Sequence, residues 1–159
     1  MPPSIRAATS ADVPVILELI RGLADYEKLL SEVEATEEKL RDTLFPSHGR
    51  PAAECMLAFA DGKPAGYALY FTTYSTFLAK PGLYLEDLFV VPERRGQGVG
   101  KALLVHLAQL ANARGYGRME WTVLDWNAPA IEFYESFGAQ RLPQWQICRL
   151  TGQSLARYT

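Results

Sequence analysis

Cysteine is scarce in this chain: only Cys55 and Cys148 occur among 159 residues, with no C-x-x-C pair and no histidine at ligand spacing. That pattern argues against a structural zinc site, so no metal is expected. Each cysteine lies inside an apolar run and is expected to be a buried packing residue. Long apolar runs are missing too, since nothing approaches the ~20 residues of a membrane helix, and no membrane partner is expected. The opening residues MPPSIRAATSADVP lack the charged-then-apolar pattern of a secretory leader, which points to a cytoplasmic setting. An excess of charge is also absent, because 16 Lys+Arg against 18 Asp+Glu leave −2. General nucleic-acid binding rests on clustered cations, so nucleic acid is excluded as a partner. What is present, 48% hydrophobic and 21% charged residues, is the balance of one globular domain spanning 1–159.

The small net charge conceals an uneven distribution. Residues 25–42 hold seven acids and three bases, whereas residues 94–101 hold Arg94, Arg95 and Lys101 and no acid. On pattern alone the acidic run is equally well explained as a solvated helix face.

Periodicity sets the elements. Ile5–Ala8 reads as a strand. Thr9 or Ser10 caps a helix whose Val13, Ile16, Leu17, Ile20, Leu23 and Ala24 follow the i, i+3, i+4, i+7 rule. Thr36 caps a shorter helix with Glu37 and Glu38 in its first turn. Glu54–Ala60 and Ala65–Thr73 are β-rich and joined by Asp61-Gly62-Lys63-Pro64, a hairpin signal. Leu83–Val91 is a strand closed by Pro92. A glycine-rich turn then opens a helix running to about Arg114, and strand Met119–Leu124 follows. Strand, turn, helix and strand make a βαβ crossover with parallel strands. A helix from Asp125-Trp126-Asn127 through Phe137 and a last strand at Trp145–Leu150 complete the chain. The expected fold is α/β, a mixed central sheet with helices on both faces.

The glycine-rich turn invites an anion, because amides at a helix start are unpaired and glycines let a phosphate approach. A dinucleotide-binding G-x-G-x-x-G would need glycine at Lys101, and a P-loop would need glycine at Arg95 and Ser or Thr at Ala102. Arg95, Gly98 and Gly100 instead satisfy Arg/Gln-x-x-Gly-x-Gly. With that loop, Leu83-Tyr84-Leu85-Glu86-Asp87-Leu88-Phe89-Val90-Val91-Pro92, and Asp125-Trp126-Asn127 ahead of Ile131-Glu132-Phe133-Tyr134 and Gly138-Ala139, the chain resembles the GNAT superfamily of acyl-CoA-dependent N-acetyltransferases. Leu23-Ala24-Asp25-Tyr26-Glu27 is similar to the diamine (spermidine/spermine) acetyltransferase branch. Val123-Leu124-Asp125-Trp126-Asn127 and Arg95-Gly96-Gln97-Gly98 resemble its thialysine N-ε-acetyltransferase members.

The resemblance implies acetyl-CoA as co-substrate and a small cationic amine as acceptor, either a thialysine- or lysine-like amine or a diamine or polyamine. It implies direct transfer in a ternary complex. Glu86 is then the base that deprotonates the amine, and Tyr134 the acid that protonates the departing thiolate. Backbone groups of Leu88, Phe89 and Val90 are implied to hold the pantetheine arm. The turn of Arg95, Gly96, Gln97, Gly98, Val99, Gly100 and Lys101 is implied to take the pyrophosphate, and Asn127, Ala128, Pro129, Ala130 and Tyr134 the rest of the cofactor. Tyr26, Glu27, Glu86, Asp87, Glu120, Trp121 and Thr122 map onto the acceptor side. Between Gly138 and Trp145 the chain is shorter than the polyamine enzymes and carries Arg141 but no acid, which suits a compact amine. His48 and His106 match no catalytic position, and a homodimer is expected, as in that branch. Two other readings are a protein N-terminal or lysine acetyltransferase, and a non-catalytic acyl-CoA-binding domain; the presence of Glu86 and Tyr134 favours the enzyme.

Overall fold

The computed structural model describes residues 2–159. The elements in order are β1 (Ser4–Ala7), α1 (Val13–Tyr26), α2 (Glu37–Leu44), β2 (Glu54–Ala60), β3 (Lys63–Ser75), β4 (Lys80–Val90), α3 (Val99–Ala113), β5 (Met119–Trp121), α4 (Ala128–Ser136) and α5 (Gly152–Ala156). The strands form one mixed sheet in the order β1-β2-β3-β4-β5, antiparallel except for the parallel β4–β5 pair. The hairpin turns where expected, with Asp61 at φ 52° and Gly62 at φ 74°, the positive angles a two-residue hairpin turn requires. Thr36 caps α2 by accepting from the Lys39 amide at 3.1 Å. Thr9 instead opens a single 3-10 turn, Ser10–Asp12, ahead of α1.

Two compact units divide the chain, one running to Thr122 and the other Val123–Thr159. In the larger, α1 and α2 cover one face of the sheet. Val13, Ile16, Leu40 and Leu44 meet Cys55, Leu57, Tyr67 and Phe89 there. The opposite face belongs to α3: Arg114, just beyond its end, clamps Glu54 with two hydrogen bonds of 2.8 Å. Val99 of α3 lies against Gly66, where an added Cβ would come within 2.5 Å of the Phe89 carbonyl. Helices on both faces of a mixed sheet are the expected architecture.

The smaller unit holds α4 and α5, and Asn127 is its one buried residue. Three expectations are corrected here. Trp145–Leu150 forms no strand: Trp145 is 76% and Ile147 70% exposed, and no ladder partner pairs with the segment. A strand is made by pairing, so β-like composition alone does not create one. Cys148 lies in the same segment and is exposed rather than buried, whereas Cys55 is buried in β2 as expected. The expected strand Met119–Leu124 also stops early, at Trp121.

Candidate active site

Two features of strand β4 shape the site. Its register against β3 runs Leu69 to Asp87 and then Tyr70 to Leu85, so Glu86 is an extra residue with no partner. A bulge of this kind re-aims the side chains that flank it. Without it Leu85 and Asp87 would share a face. With it Leu85 lies beside Tyr70, buried on the α3 side, while Asp87 turns toward α1 and Glu86 is exposed.

Pairing with β5 is equally local. Only Leu83, Tyr84 and Leu85 have partners there, Met119, Glu120 and Trp121. Beyond Leu85, β4 continues to Val90 with no strand on that side. Backbone N–H and C=O groups of such an edge are ready to pair with an extended ligand. Leu88 and Val90, half-buried, lie on this stretch, and Phe89 is buried on the α1 face.

β4 leads through the 3-10 turn Pro92–Arg94 into the glycine-rich loop. Gly96 and Gly98 hold φ of 75° and 84°, the left-handed region that favours glycine, and a Cβ at either would meet nothing within 4 Å. The space over the loop is open. The N-terminus of α3 has no side-chain cap, so its first amides present donors and the positive end of the helix dipole. This fits a pyrophosphate. The loop's arginines are partly turned back on the fold. Arg94 pairs with Asp61 at 2.9 Å, while Arg95 donates from Nε to the Val90 carbonyl at 3.0 Å. The Arg95 guanidinium also lies 4.7 Å from the Tyr26 ring centre and 5.5 Å from that of Phe89. Gln97 donates to the Glu93 carbonyl at 3.2 Å, and Lys101 is exposed. Beside the first turns of α3 runs an open groove of about 490 Å³ lined by Gly98, Lys101, His106 and residues of the β1 segment.

On the α1 side of β4 lies a cluster of acids. Burial raises the pKa of Asp87, with the nearby Glu86 charge adding to it and a hydrogen bond from Tyr67 opposing it. Glu27, one residue past α1, is raised by burial and then by the charge of Asp87. Tyr67 donates from its hydroxyl to Asp87 Oδ2 at 2.8 Å, and both burial and the Asp87 charge keep that phenol protonated. The geometry thus gathers Glu27, Asp87 and Tyr67, with Tyr26 and Arg95 alongside Phe89. Within the acidic run 25–42, Glu37 pairs instead with Arg41 at 3.9 Å on the exposed face of α2. Tyr67 was missed in the sequence because its partner is 20 residues away, and nothing local marks it.

On β5, Glu120 is paired with Arg118 at 3.1 Å, Trp121 is half-buried and Thr122 exposed. In the smaller unit Asn127 caps α4, accepting from the Ala130 amide at 3.4 Å, with Ala128 and Pro129 in the exposed first turn. Tyr134 is half-buried on α4, its ring 5.5 Å from that of Phe133. Among the described residues no group of three or more His, Cys, Asp or Glu could hold a metal, and no helix is long and apolar enough to cross a membrane.

Comparison with known proteins bears on this arrangement. Residues 20–139 match the sequence profile described as the Acetyltransferase (GNAT) family. The chain is 39% identical to the thialysine N-epsilon-acetyltransferase of Bos taurus, over 95% of this chain and 94% of that one. It is 36% identical to the L-ornithine N5-acetyltransferase of Arabidopsis thaliana, over 95% of this chain and 85% of that one. A solved structure described as a probable acetyltransferase superimposes with a TM-score of 0.79 at 25% identity, covering 93% of this chain and 97% of the other.

Proposed function

The chain belongs to the GNAT acetyltransferase family and is an N-acetyltransferase, and from that premise we propose that it moves the acetyl group of acetyl-CoA to a primary amine of a small cationic acceptor, thialysine, ornithine or a related diamine. One observation carries the choice of acceptor. On the α1 side of β4, where the Tyr67 hydroxyl holds Asp87 at 2.8 Å, burial and then the charge of Asp87 raise the pKa of Glu27. Two crowded, partly buried carboxylates gain most from a cation arriving between them. Both named relatives act, by their descriptions, on such amines.

The residues divide the work by their chemistry. An alkylammonium, with a pKa of ~10.4, has no lone pair until it loses a proton. Glu86, exposed at the bulge, takes that proton directly or through a water. Glu27 and Asp87 hold the acceptor's charge, with Tyr26, the β5 residues Glu120 and Trp121, and Thr122 just beyond them as further wall. The stretch of β4 from Leu88 to Val90, which has no strand on its β5 side, receives the pantetheine arm as an added strand. The amides from Arg95 to Lys101 receive the pyrophosphate, and Asn127 to Ala130 the remainder. Acetyl-CoA supplies an activated acyl carbon on a thiol leaving group. Tyr134 donates its phenolic proton to that sulfur. A backbone N–H of β4 near the bulge serves as the oxyanion donor. We take 1–159 to act as one catalytic domain in the cytoplasm. We also take it to act as a homodimer, to which the exposed Trp145, Ile147 and Leu150 contribute apolar surface.

The test is acetyl-CoA consumption over thialysine, lysine, ornithine, putrescine, spermidine, spermine and lysine peptides. Preference for thialysine, ornithine or putrescine is the expected outcome; turnover confined to peptides would overturn the small-amine reading.

A further inference from the structure

Tyr67 belongs to none of the motifs above, yet it is the largest side chain in the sheet with no exposed surface. Its ring has a packing reason to be there. It meets Phe89 edge-on at 6.5 Å, and it joins Ile16, Leu57 and Cys55 in the core beneath α1. A phenylalanine would serve that packing equally well. The hydroxyl is the part the core does not need, and it is aimed at Asp87 Oδ2 from 2.8 Å. Burying a hydroxyl is tolerated only with a partner, but the converse matters more here. A carboxylate has two oxygens and about four lone-pair sites, so one O–H donor orients it and still leaves room for a second donor.

We propose that Tyr67 is a positioning residue for the acceptor: through its hydroxyl it fixes the rotamer of Asp87 and keeps that carboxylate ionised toward the arriving ammonium. The inference rests on Asp87 being an acceptor contact. Several groups act on Asp87 from the elements around it. Glu86 on β4 and Glu27 at the end of α1 are like charges. Cys55 on β2 feels its charge, as it feels that of Asp12 before α1. The nearby Arg95 is committed to the Val90 carbonyl and the faces of Tyr26 and Phe89. Against burial and the charge of Glu86, the Tyr67 hydrogen bond is the contribution that lowers the pKa of Asp87. Removing it raises that pKa further, so the charge that attracts the amine is lost at a higher pH.

The experiment compares Tyr67→Phe, Asp87→Asn and the double variant, using whichever of thialysine, ornithine or putrescine the unmodified chain acetylates best. For Tyr67→Phe the acceptor KM should rise about tenfold, the loss expected for one hydrogen bond to a charged group. The KM for acetyl-CoA and the saturated kcat should stay unchanged, and the acid limb of kcat/KM should move to higher pH. In the Asp87→Asn background the same change should add nothing, because the carboxylate it acts through is gone. If Asp87→Asn raises the acceptor KM while Tyr67→Phe leaves KM and the acid limb unmoved, Tyr67 is only packing and the inference fails alone. If Asp87→Asn leaves the acceptor KM unchanged, the reading of Asp87 fails and this inference with it. A further rise in KM in the double variant also overturns it, as does a Tyr67→Phe effect on kcat and both KM values together. Absence of turnover with all three amines removes the small-amine reading on which it depends.

Discussion

The part of the chain up to Thr122 and the part from Val123 onward are built from similar residues and treat them differently. In the first, Ile16, Leu57, Leu103, Leu104 and Leu107 have no exposed surface. In the second, Trp145, Ile147, Leu150, Leu155 and Tyr158 are each more than half exposed. Hydropathy does not separate the two sets. The difference is that a sheet gives alternate residues a face on which helices close, whereas the segment after α4 has neither ladder partner nor covering element of its own. Stability is therefore concentrated in the larger part. The smaller part contributes individual side chains, Asn127 as a cap and Tyr134 as the proposed acid, more than it contributes core.

The two cysteines break the comparison most sharply, one lying in each part. Burial, with added repulsion from Asp12 and Asp87, pushes the Cys55 thiol up to about 12. At pH 7 roughly one molecule in 10⁵ then carries its reactive thiolate, before steric shielding is counted. A maleimide should label Cys148 to completion and leave Cys55 untouched until denaturant is added; comparable labelling of both in the native protein would mean the β2 core is open.

Truncation of the core is the next largest effect. Leu57→Ala should destabilise the fold by about 2–5 kcal/mol in urea unfolding, the usual cost of a cavity in a packed core. Ile147→Ala, which removes an exposed side chain, should change the same midpoint by less than about 0.5 kcal/mol if the segment has no partner. A larger loss that depends on protein concentration would show that a second copy covers it, in line with the proposed homodimer.

Activity should divide the other way. Tyr134→Phe keeps the ring against Phe133 and removes the phenolic hydroxyl with its proton, so kcat should fall about 10²-fold while acetyl-CoA affinity holds. Unchanged turnover at saturating substrates would remove Tyr134 from the chemistry and leave the smaller part with no proposed catalytic group.

Much of this was legible in the sequence. The periods of α1 and α3, the Asp61-Gly62 hairpin, the Thr36 cap and the glycine-rich turn depend on neighbours within a few residues, and the structure has them in place. Trp145–Leu150 misled because alternation reports what a segment can do, and whether it pairs depends on what lies opposite. Likewise the +3 of residues 94–101 is real as a count, but Asp61, 33 residues from Arg94, takes up part of it.

By itself the sequence determined the family pattern and the crossover around the glycine-rich turn. Those features reside in residue identity and short spacing. Only the tertiary structure decided that Cys148 is exposed, that Glu86 is the bulged residue, and that Asp87 therefore turns away from Leu85 to meet Tyr67 and Glu27. The reason is register: a one-residue offset between β3 and β4 changes the face of every side chain beyond it, and it is set by long-range pairing that no local pattern encodes.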